Sequence, residues 1–242
     1  MADNEHIVSS FDDELNELAQ KIAEMGGIAE QQVGDSVAAL ARRDSDLAQL
    51  VIVSDRRIDD MQREIEDQAT QMIARRQPMA QDLRAIVASI HVANDLERVG
   101  DLAKNTAKRV FALDGNFGAQ RLVAGVEHIA EMSLAQLKDV LDAYTSRNIE
   151  GALAVWHRDD EVDAMYTSLF RELLTYMMED PRNITFCTHL LFCAKNLERI
   201  GDHATNIAEN VHYIVEGTPL TDERPKNDTS SVTAIEFTES DD

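Results

Sequence analysis

Two short acidic motifs recur in the two halves of the chain, with the sequences DLERVGD at 95–101 and NLERIGD at 196–202. Each holds a glutamate and an aspartate four positions apart, and two such carboxylates project from the same side of a helix. An aspartate pair with the same spacing precedes each motif. The eight carboxylates are Asp55, Asp59, Glu97, Asp101, Asp159, Asp163, Glu198 and Asp202. Oxygen ligands of this kind suit hard cations such as Mg²⁺, Mn²⁺, Ca²⁺ or iron.

Each aspartate pair is expected to face its motif across a hairpin turn. Pro78 lies midway between the first aspartate pair and the first motif, and Pro181 lies close to the midpoint of the second set. Because antiparallel helices place residues equidistant from their turn at one height, each half brings four carboxylates together. Carboxylates this close raise one another's pKa unless a cation joins them. We therefore predict two metal sites, to which Asn105 and Asn206 could add amide oxygens or supporting hydrogen bonds.

An alternative interpretation treats the carboxylates as solvated surface residues. The arginine within each motif, Arg98 or Arg199, could pair with the aspartate three positions later for a small gain in helix stability. Exposed carboxylates are common on soluble proteins. The duplication of the arrangement at matched height favours metal binding over this alternative, and we assign the arginines a structural role.

Helices are the elements that must position these side chains. Apolar residues three and four positions apart predict three helices in each half. Asp44 is expected to cap the second helix of the first half, and Asn148 stands at the corresponding position of the second half. Pro78 and Pro181 mark the turn before the third helix of each half.

The chain is therefore predicted to be all-α, as a tandem repeat of two antiparallel three-helix bundles. The turn sequence DGNFG at 114–118 separates the halves. The last segment is polar and acidic, and a disordered tail is expected there. The predicted units are a first bundle at 1–114, a second bundle at 115–217 and the tail at 218–242.

Charge and hydropathy restrict the partners of the chain. A formal net charge of −22 disfavours nucleic acid and anionic membranes. No apolar run approaches the roughly 20 residues of a membrane span, and the N-terminus is acidic, unlike a targeting peptide. The two cysteines lack the Cys-x-x-Cys spacing. We predict a cytoplasmic protein without membrane insertion, with reduced and buried thiols.

The sequence holds no recognisable catalytic motif. HExxH, the pair of ExxH motifs of di-iron carboxylate bundles, phosphate-binding glycine loops and the GxSxG elbow are all missing. We therefore predict that the protein is not an enzyme. Two alternatives stay open: a metal-dependent hydrolase or oxidase that uses the same carboxylates, and a structural bundle in which ions only relieve their repulsion.

Several longer segments resemble the PhoU family, the cytoplasmic regulators that accompany the high-affinity phosphate transporter of bacteria. The resemblance extends from about Phe11 to Gly217. Its most specific segments are EMGGIAEQQVGDSVAAL, IARRQPMAQDLR, DLERVGDLAKNTAKR, LTYMMEDPR and LFCAKNLERIGDHATNIAE. It implies two three-helix bundles, a homodimer, and divalent or trivalent metal ions (iron, zinc, magnesium or manganese) on the eight carboxylates named above.

The resemblance also implies a function. Members of the family are negative regulators of the phosphate-starvation response and modulators of phosphate uptake. The expected partners are therefore the ATPase subunit of the phosphate ABC transporter and the sensor histidine kinase of the phosphate regulon, which the protein would link as an adaptor.

Overall fold

A computed structural model of the protein describes residues 2–113 and 120–221. Within these ranges the chain forms seven α-helices and one short 3₁₀ helix. The α-helices are α1 (Ala2–Arg42), α2 (Ser45–Arg76), α3 (Gln81–Ala112), α4 (Gln120–Ser146), α5 (Ile149–His157), α6 (Asp159–Glu179) and α7 (Ile184–Glu216), and the 3₁₀ helix is Pro181–Asn183. The all-α prediction is confirmed. The expected turn at 114–118 and most of the expected tail, 222–242, lie outside the described residues.

The predicted helix caps are present in both halves. The Asp44 side chain accepts a hydrogen bond from the Leu47 backbone N–H at 2.9 Å, and Asn148 accepts one from the Gly151 N–H at 3.2 Å. These bonds satisfy N–H groups that the first turn of a helix leaves unpaired. They fix the start of α2 and α5 at matching positions of the repeat, and so fix the register of the carboxylates that follow.

One predicted helix is interrupted. The helix expected between Asn148 and Pro181 is divided at Arg158 into α5 and α6. The six-helix plan therefore holds, with its fifth helix in two segments. The interruption leaves Asp159 as the first residue of α6, whereas Asp55, its counterpart in the repeat, lies inside the continuous helix α2.

The helices pack as two bundles with an extensive contact between them. Helices α1, α2 and α3 form the first bundle, and α4, α5, α6 and α7 form the second. The bundles meet where α3 packs along α7 and α1 packs against α4. Apolar side chains between the helices form the core, and each fully buried aliphatic side chain contributes about 2 kcal/mol by leaving water. The largest of them include Ile22, Met25, Ile58, Ile65, Leu96, Ile129, Leu137 and Leu169.

The two cysteines are buried, as the sequence predicted, and so is Trp156. Trp156 is buried, and its indole N–H donates to Glu209 Oε1 at 3.2 Å. Cys187 and Cys193 are free and buried. Burial raises the pKa of the Cys193 thiol to about 12, so it stays in the unreactive thiol form at neutral pH.

Helices α3 and α7 run in opposite directions along their contact. Asp95 Oδ1 lies 2.9 Å from His203 Nδ1 at one end, and Asn196 Nδ2 donates to Thr106 Oγ1 at 3.3 Å at the other. Residue numbers therefore rise on one helix as they fall on the other. Both acidic motifs lie between these two contacts, which places them at about the same level on either side of the molecule.

Candidate metal centres

The first cluster consists of Asp55 and Asp59 on α2 with Glu97 and Asp101 on α3. Lys104, one turn beyond the motif on α3, lies among these side chains. Its ammonium group donates to Asp101 Oδ1 at 2.6 Å and forms a short contact with Asp55 Oδ2. The two helices of the hairpin thus bring their acidic side chains to one seam, as their distance from the turn at Pro78 predicted.

Burial and mutual repulsion raise the pKa of two carboxylates of the first cluster. Burial raises the pKa of Asp55, the Lys104 hydrogen bond opposes this, and the charges of Asp59 and Asp101 raise it further. Burial also raises the pKa of Glu97, where Arg98 opposes it and the other three carboxylates of the cluster add to it. The carboxylates are therefore held together at a cost in electrostatic free energy that a cation would relieve.

The surface pairing considered in the alternative interpretation is also present. Arg98 Nε lies 3.4 Å from Glu97 Oε2, and Arg98 Nη1 lies 3.8 Å from Asp101 Oδ2. Most of the Arg98 side chain is exposed, so such pairs contribute on the order of 1 kcal/mol or less. They do not replace a cation within the cluster.

The second cluster consists of Asp159 and Asp163 on α6 with Glu198 and Asp202 on α7. All except Asp202 are buried. Lys195 Nζ donates to Glu198 Oε1 at 2.9 Å. Burial raises the pKa of Glu198 to about 7, the Lys195 hydrogen bond opposes this, and the charges of Asp202 and Asp163 add to it.

Two glutamines reach the clusters from the first helix of each bundle, and the sequence did not predict them. Gln32 on α1 and Gln136 on α4 are both buried. The Gln32 amide nitrogen donates to Ser54 Oγ at 3.1 Å, and the Gln136 amide nitrogen donates to the Arg158 carbonyl oxygen at 3.1 Å. Within the described ranges, the Oε1 atoms of both glutamines are buried without a hydrogen-bond partner.

Each motif glycine lies beside a glutamine oxygen and a carboxylate of its cluster. A Cβ atom added at Gly100 would lie 3.3 Å from Gln32 Oε1 and 3.4 Å from Asp55 Oδ1. One added at Gly201 would lie 2.9 Å from Gln136 Oε1 and 3.8 Å from Asp159 Oδ1. Ile58 Cδ1 would lie closer still to a Cβ at Gly100, at 2.9 Å, so the missing side chains leave room for these neighbouring atoms.

The donor set fits a hard cation, although the side chains are not arranged around one. Across 2–113 and 120–221, no three His, Cys, Asp or Glu side chains are placed to hold a common metal ion. The first cluster nevertheless includes one buried carboxylate, that of Asp55, and the second includes three. Gln32 Oε1, Gln136 Oε1 and Glu198 Oε2 are buried without partners in the described structure. Oxygen-only donors of this kind are those that Mg²⁺, Mn²⁺ or iron accept.

The predicted asparagine ligands lie elsewhere. Asn105 is exposed. Asn206 directs its amide nitrogen to Asp95 Oδ1 on α3, at 3.2 Å, within the contact between the bundles. Their role as ligands stays a prediction without a contact to support it.

Both bundles match one family of proteins. Residues 22–110 and 126–211 each match the sequence model of the PhoU domain. The chain belongs to the PhoU family. The two matched segments coincide with the two bundles, and each contains a complete set of four acidic residues together with its buried glutamine.

Relatives in this family match nearly the whole chain. The PhoU homolog of Rhizobium meliloti, a phosphate-specific transport system accessory protein, is 61% identical over 93% of this chain and 95% of its own length. The Caulobacter vibrioides homolog, described in the same words, is 53% identical over 94% of this chain and 99% of its own.

Two solved PhoU structures share the fold. PhoU from Pseudomonas aeruginosa aligns with a TM-score of 0.83 and 42% identity, over 86% of this chain and 100% of its own. The phosphate transport system regulatory protein PhoU from Streptococcus pneumoniae aligns with a TM-score of 0.81 and 30% identity, over 87% and 99%. PhoU proteins are accessory and regulatory proteins rather than enzymes, as the sequence predicted for this chain. None of the described helices is both long enough and apolar enough to span a bilayer.

Proposed function

We propose that this protein is an accessory regulator of a phosphate-specific transport system, which represses the phosphate-starvation response and restrains phosphate uptake when phosphate is plentiful. The observation that carries the proposal is the 61% identity, over nearly the full length, to an accessory protein of such a system. The protein would act in the cytoplasm as a homodimer. Its partners would be the ATPase subunit of the transporter and the sensor histidine kinase that it holds in its dephosphorylating mode.

The charge of the protein supports a role in docking. A formal net charge of −22 favours partners with basic surfaces and gives fast, salt-dependent association. Several large apolar side chains are also exposed, among them Leu50 and Val53 on α2, which are 66% and 64% exposed. Apolar residues within a charged surface are typical of the centre of a protein interface.

We propose that the two clusters hold metal ions that adjust this docking. The eight carboxylates, with Gln32 Oε1 and Gln136 Oε1, would supply the ligands. A bound hard cation supplies positive charge, which offsets the repulsion between the carboxylates and changes the local charge of the seam. The metal would thus set the shape and charge that a partner meets, with no chemical step required.

Co-purification tests the adaptor. The tagged protein would be recovered from cells grown at high and at low phosphate, and the ATPase subunit and the kinase would be quantified in the eluate. We expect both partners at high phosphate and less kinase at low phosphate. Absence of both partners under both conditions would refute the adaptor and leave a metal-binding structural bundle as the better interpretation.

A matched pair of variants tests the role of the metal. In one variant all eight cluster carboxylates are changed to amides, and in the other eight exposed carboxylates, including Asp46, Glu64 and Glu161, are changed instead. Both variants have the same net charge. We expect only the cluster variant to lose metal, by elemental analysis, together with partner binding. Metal loss with unchanged partner binding would contradict a metal-dependent interface.

A further inference from the structure

We propose that Lys104 and Lys195 are tethered cations that occupy the two clusters in the metal-free protein and compete with metal for them. The inference rests on the metal binding proposed above. Lys104 stands three positions after Asp101 on α3, and Lys195 stands three positions before Glu198 on α7. Each lysine therefore starts from the helix that carries the acidic motif and lies within one turn of it.

Lys104 lies between the two helices of the first hairpin. Its ammonium group contacts a carboxylate of α2, Asp55, and a carboxylate of α3, Asp101. Asp55 is only 4% exposed, so its charge has little access to water. The lone pairs that face Lys104 are those that a metal ion would need, and a metal and an ammonium group cannot share them at bonding distance.

Lys195 lies at the corresponding seam of the second bundle. Its ammonium group donates to Glu198 Oε1 at 2.9 Å and lies 4.8 Å from the centre of the Tyr166 ring on α6. Tyr166 follows Asp163 by three positions, so this contact directs Lys195 from α7 towards the acidic face of α6. The lysine thus reaches across the seam in which Asp163 and Glu198 are gathered.

The two lysines do not correspond to each other in the repeat. The position equivalent to Lys104 in the second half is Thr205, and the position equivalent to Lys195 in the first half is Asn94. The two bundles therefore place a cation in their clusters from opposite ends of the motif. Both clusters thus hold a lysine, although the two lysines are not equivalent in the repeat. This indicates that each cluster requires a cation, because a buried group of carboxylates without any cation is strongly unfavourable.

An ammonium group offsets only part of the charge of a cluster and leaves some of its oxygens without partners. Only 3% of Gln136 is exposed, and its Oε1 points into the second cluster beside Gly201. In the described structure, neither that atom nor Glu198 Oε2 has a hydrogen-bond partner. A lysine has only three donors, whereas a hard cation accepts six or more oxygens. Exchange of the lysine for a metal ion would satisfy these atoms and release the lysine towards solvent.

Binding of Mn²⁺ to the metal-free, full-length protein tests the competition. Free Mn²⁺ is measured by its electron paramagnetic resonance signal. The carboxylates of one cluster are removed by substitution at a time, so that the measured affinity belongs to the other cluster. In a D159N/D163N background, Lys104→Gln should tighten Mn²⁺ binding about tenfold or more. Lys108→Gln, which removes an exposed lysine of the same helix, should leave the affinity unchanged.

The second cluster is tested in the same way. In a D55N/D101N background, Lys195→Gln should tighten Mn²⁺ binding to a similar degree, with Lys138→Gln on α4 as the exposed control. Lys104→Met and Lys195→Met, which keep most of the side-chain packing, serve where a glutamine variant does not fold.

Thermal unfolding supplies a second readout. Without Mn²⁺ each lysine variant should have a lower Tm than its background, and saturating Mn²⁺ should abolish or reverse the difference. Suppose that the wild type binds Mn²⁺, but each lysine variant has an affinity within twofold of its background or a weaker one. This result would refute the competition and leave the proposed metal binding intact. No Mn²⁺ bound by the wild type or by any lysine variant would refute the proposed metal binding as well.

Discussion

The Glu198→Gln substitution should stabilise the metal-free protein at neutral and alkaline pH. Glu198 is 5% exposed, and burial raises its pKa from 4.5 to about 7. At 1.36 kcal/mol for each factor of ten in the acid constant, this difference corresponds to about 3 kcal/mol of unfavourable charge burial. Glutamine has nearly the same shape and carries no charge, so it removes this unfavourable contribution.

The pH range of the effect follows from linkage between protonation and folding. Between pH 4.5 and about 7 the folded wild type binds a proton at Glu198 that the unfolded chain has lost. The stability of the wild type therefore falls across this range as the pH rises, relative to that of the variant. We expect a small difference at pH 4.5, growth through pH 5 and 6, and a plateau of about 3 kcal/mol above pH 7.

Urea unfolding measured by circular dichroism, in the presence of a chelator at half-unit steps from pH 4.5 to 8.5, gives the required free energies. Glu216→Gln, an exposed glutamate of the same helix, is the matched control and should track the wild type. A wild-type to variant difference that does not change with pH would show that the Glu198 charge is solvated. A variant less stable than the wild type at pH 8 would show that its pairing with Lys195 outweighs burial.

Three further predictions concern the scaffold. Asp44→Ala and Asn148→Ala should each lower the free energy of unfolding by about 1 kcal/mol in urea titrations, through loss of a helix cap, and unchanged midpoints would exclude that role. Cys193 should resist a thiol reagent at pH 8 in the native protein and react in denaturant; rapid native labelling would contradict its burial. Tyr144→Phe removes the 2.8 Å hydrogen bond to Ser89 between the bundles and should cost about 1 kcal/mol in the same titrations, whereas no loss would show that this bond is replaced by water.

The sequence was sufficient to predict the features that depend on local spacing. The caps at Asp44 and Asn148 are short-range contacts, because a side chain two or three positions before a helical N–H is enough to identify them. The level of each carboxylate pair follows from counting residues to the turns at Pro78 and Pro181 along helices of constant rise. Both features depend only on the spacing of residues along the chain, so the sequence alone is enough to predict them.

The features that the sequence did not predict depend on which face of α1 or α4 packs against the two helices that carry each cluster. Gln32 and Gln136 are single polar residues beside apolar stripes, and their importance depends on whether the amide faces the carboxylates or solvent. One signal was available, because the two glutamines occupy the same position of the repeat, as Asp55 and Asp159 do. Lys104 had no such signal, since the repeat places a threonine at its counterpart.

The interruption at Arg158 explains how the second bundle holds its amide oxygen in place. In the first bundle the Gln32 amide nitrogen is held by the hydroxyl of Ser54 on the continuous helix α2. Arg158 is the counterpart of Ser54 and has no hydroxyl, but the backbone carbonyl at the break accepts the Gln136 amide nitrogen instead.

The break also changes the setting of the neighbouring carboxylate. It makes Asp159 the first residue of α6, where the positive end of the helix dipole favours a carboxylate, while Asp55 lies within α2 and contacts Lys104. Both the hydrogen-bond acceptor and the source of positive charge therefore differ between the bundles. In both bundles, however, the glutamine Oε1 atom lies beside the motif glycine. The two halves of the repeat therefore share the position of the glutamine oxygen but differ in the contacts that hold it. This is expected if binding of a metal ion by that oxygen, rather than the stability of either bundle, determines its position.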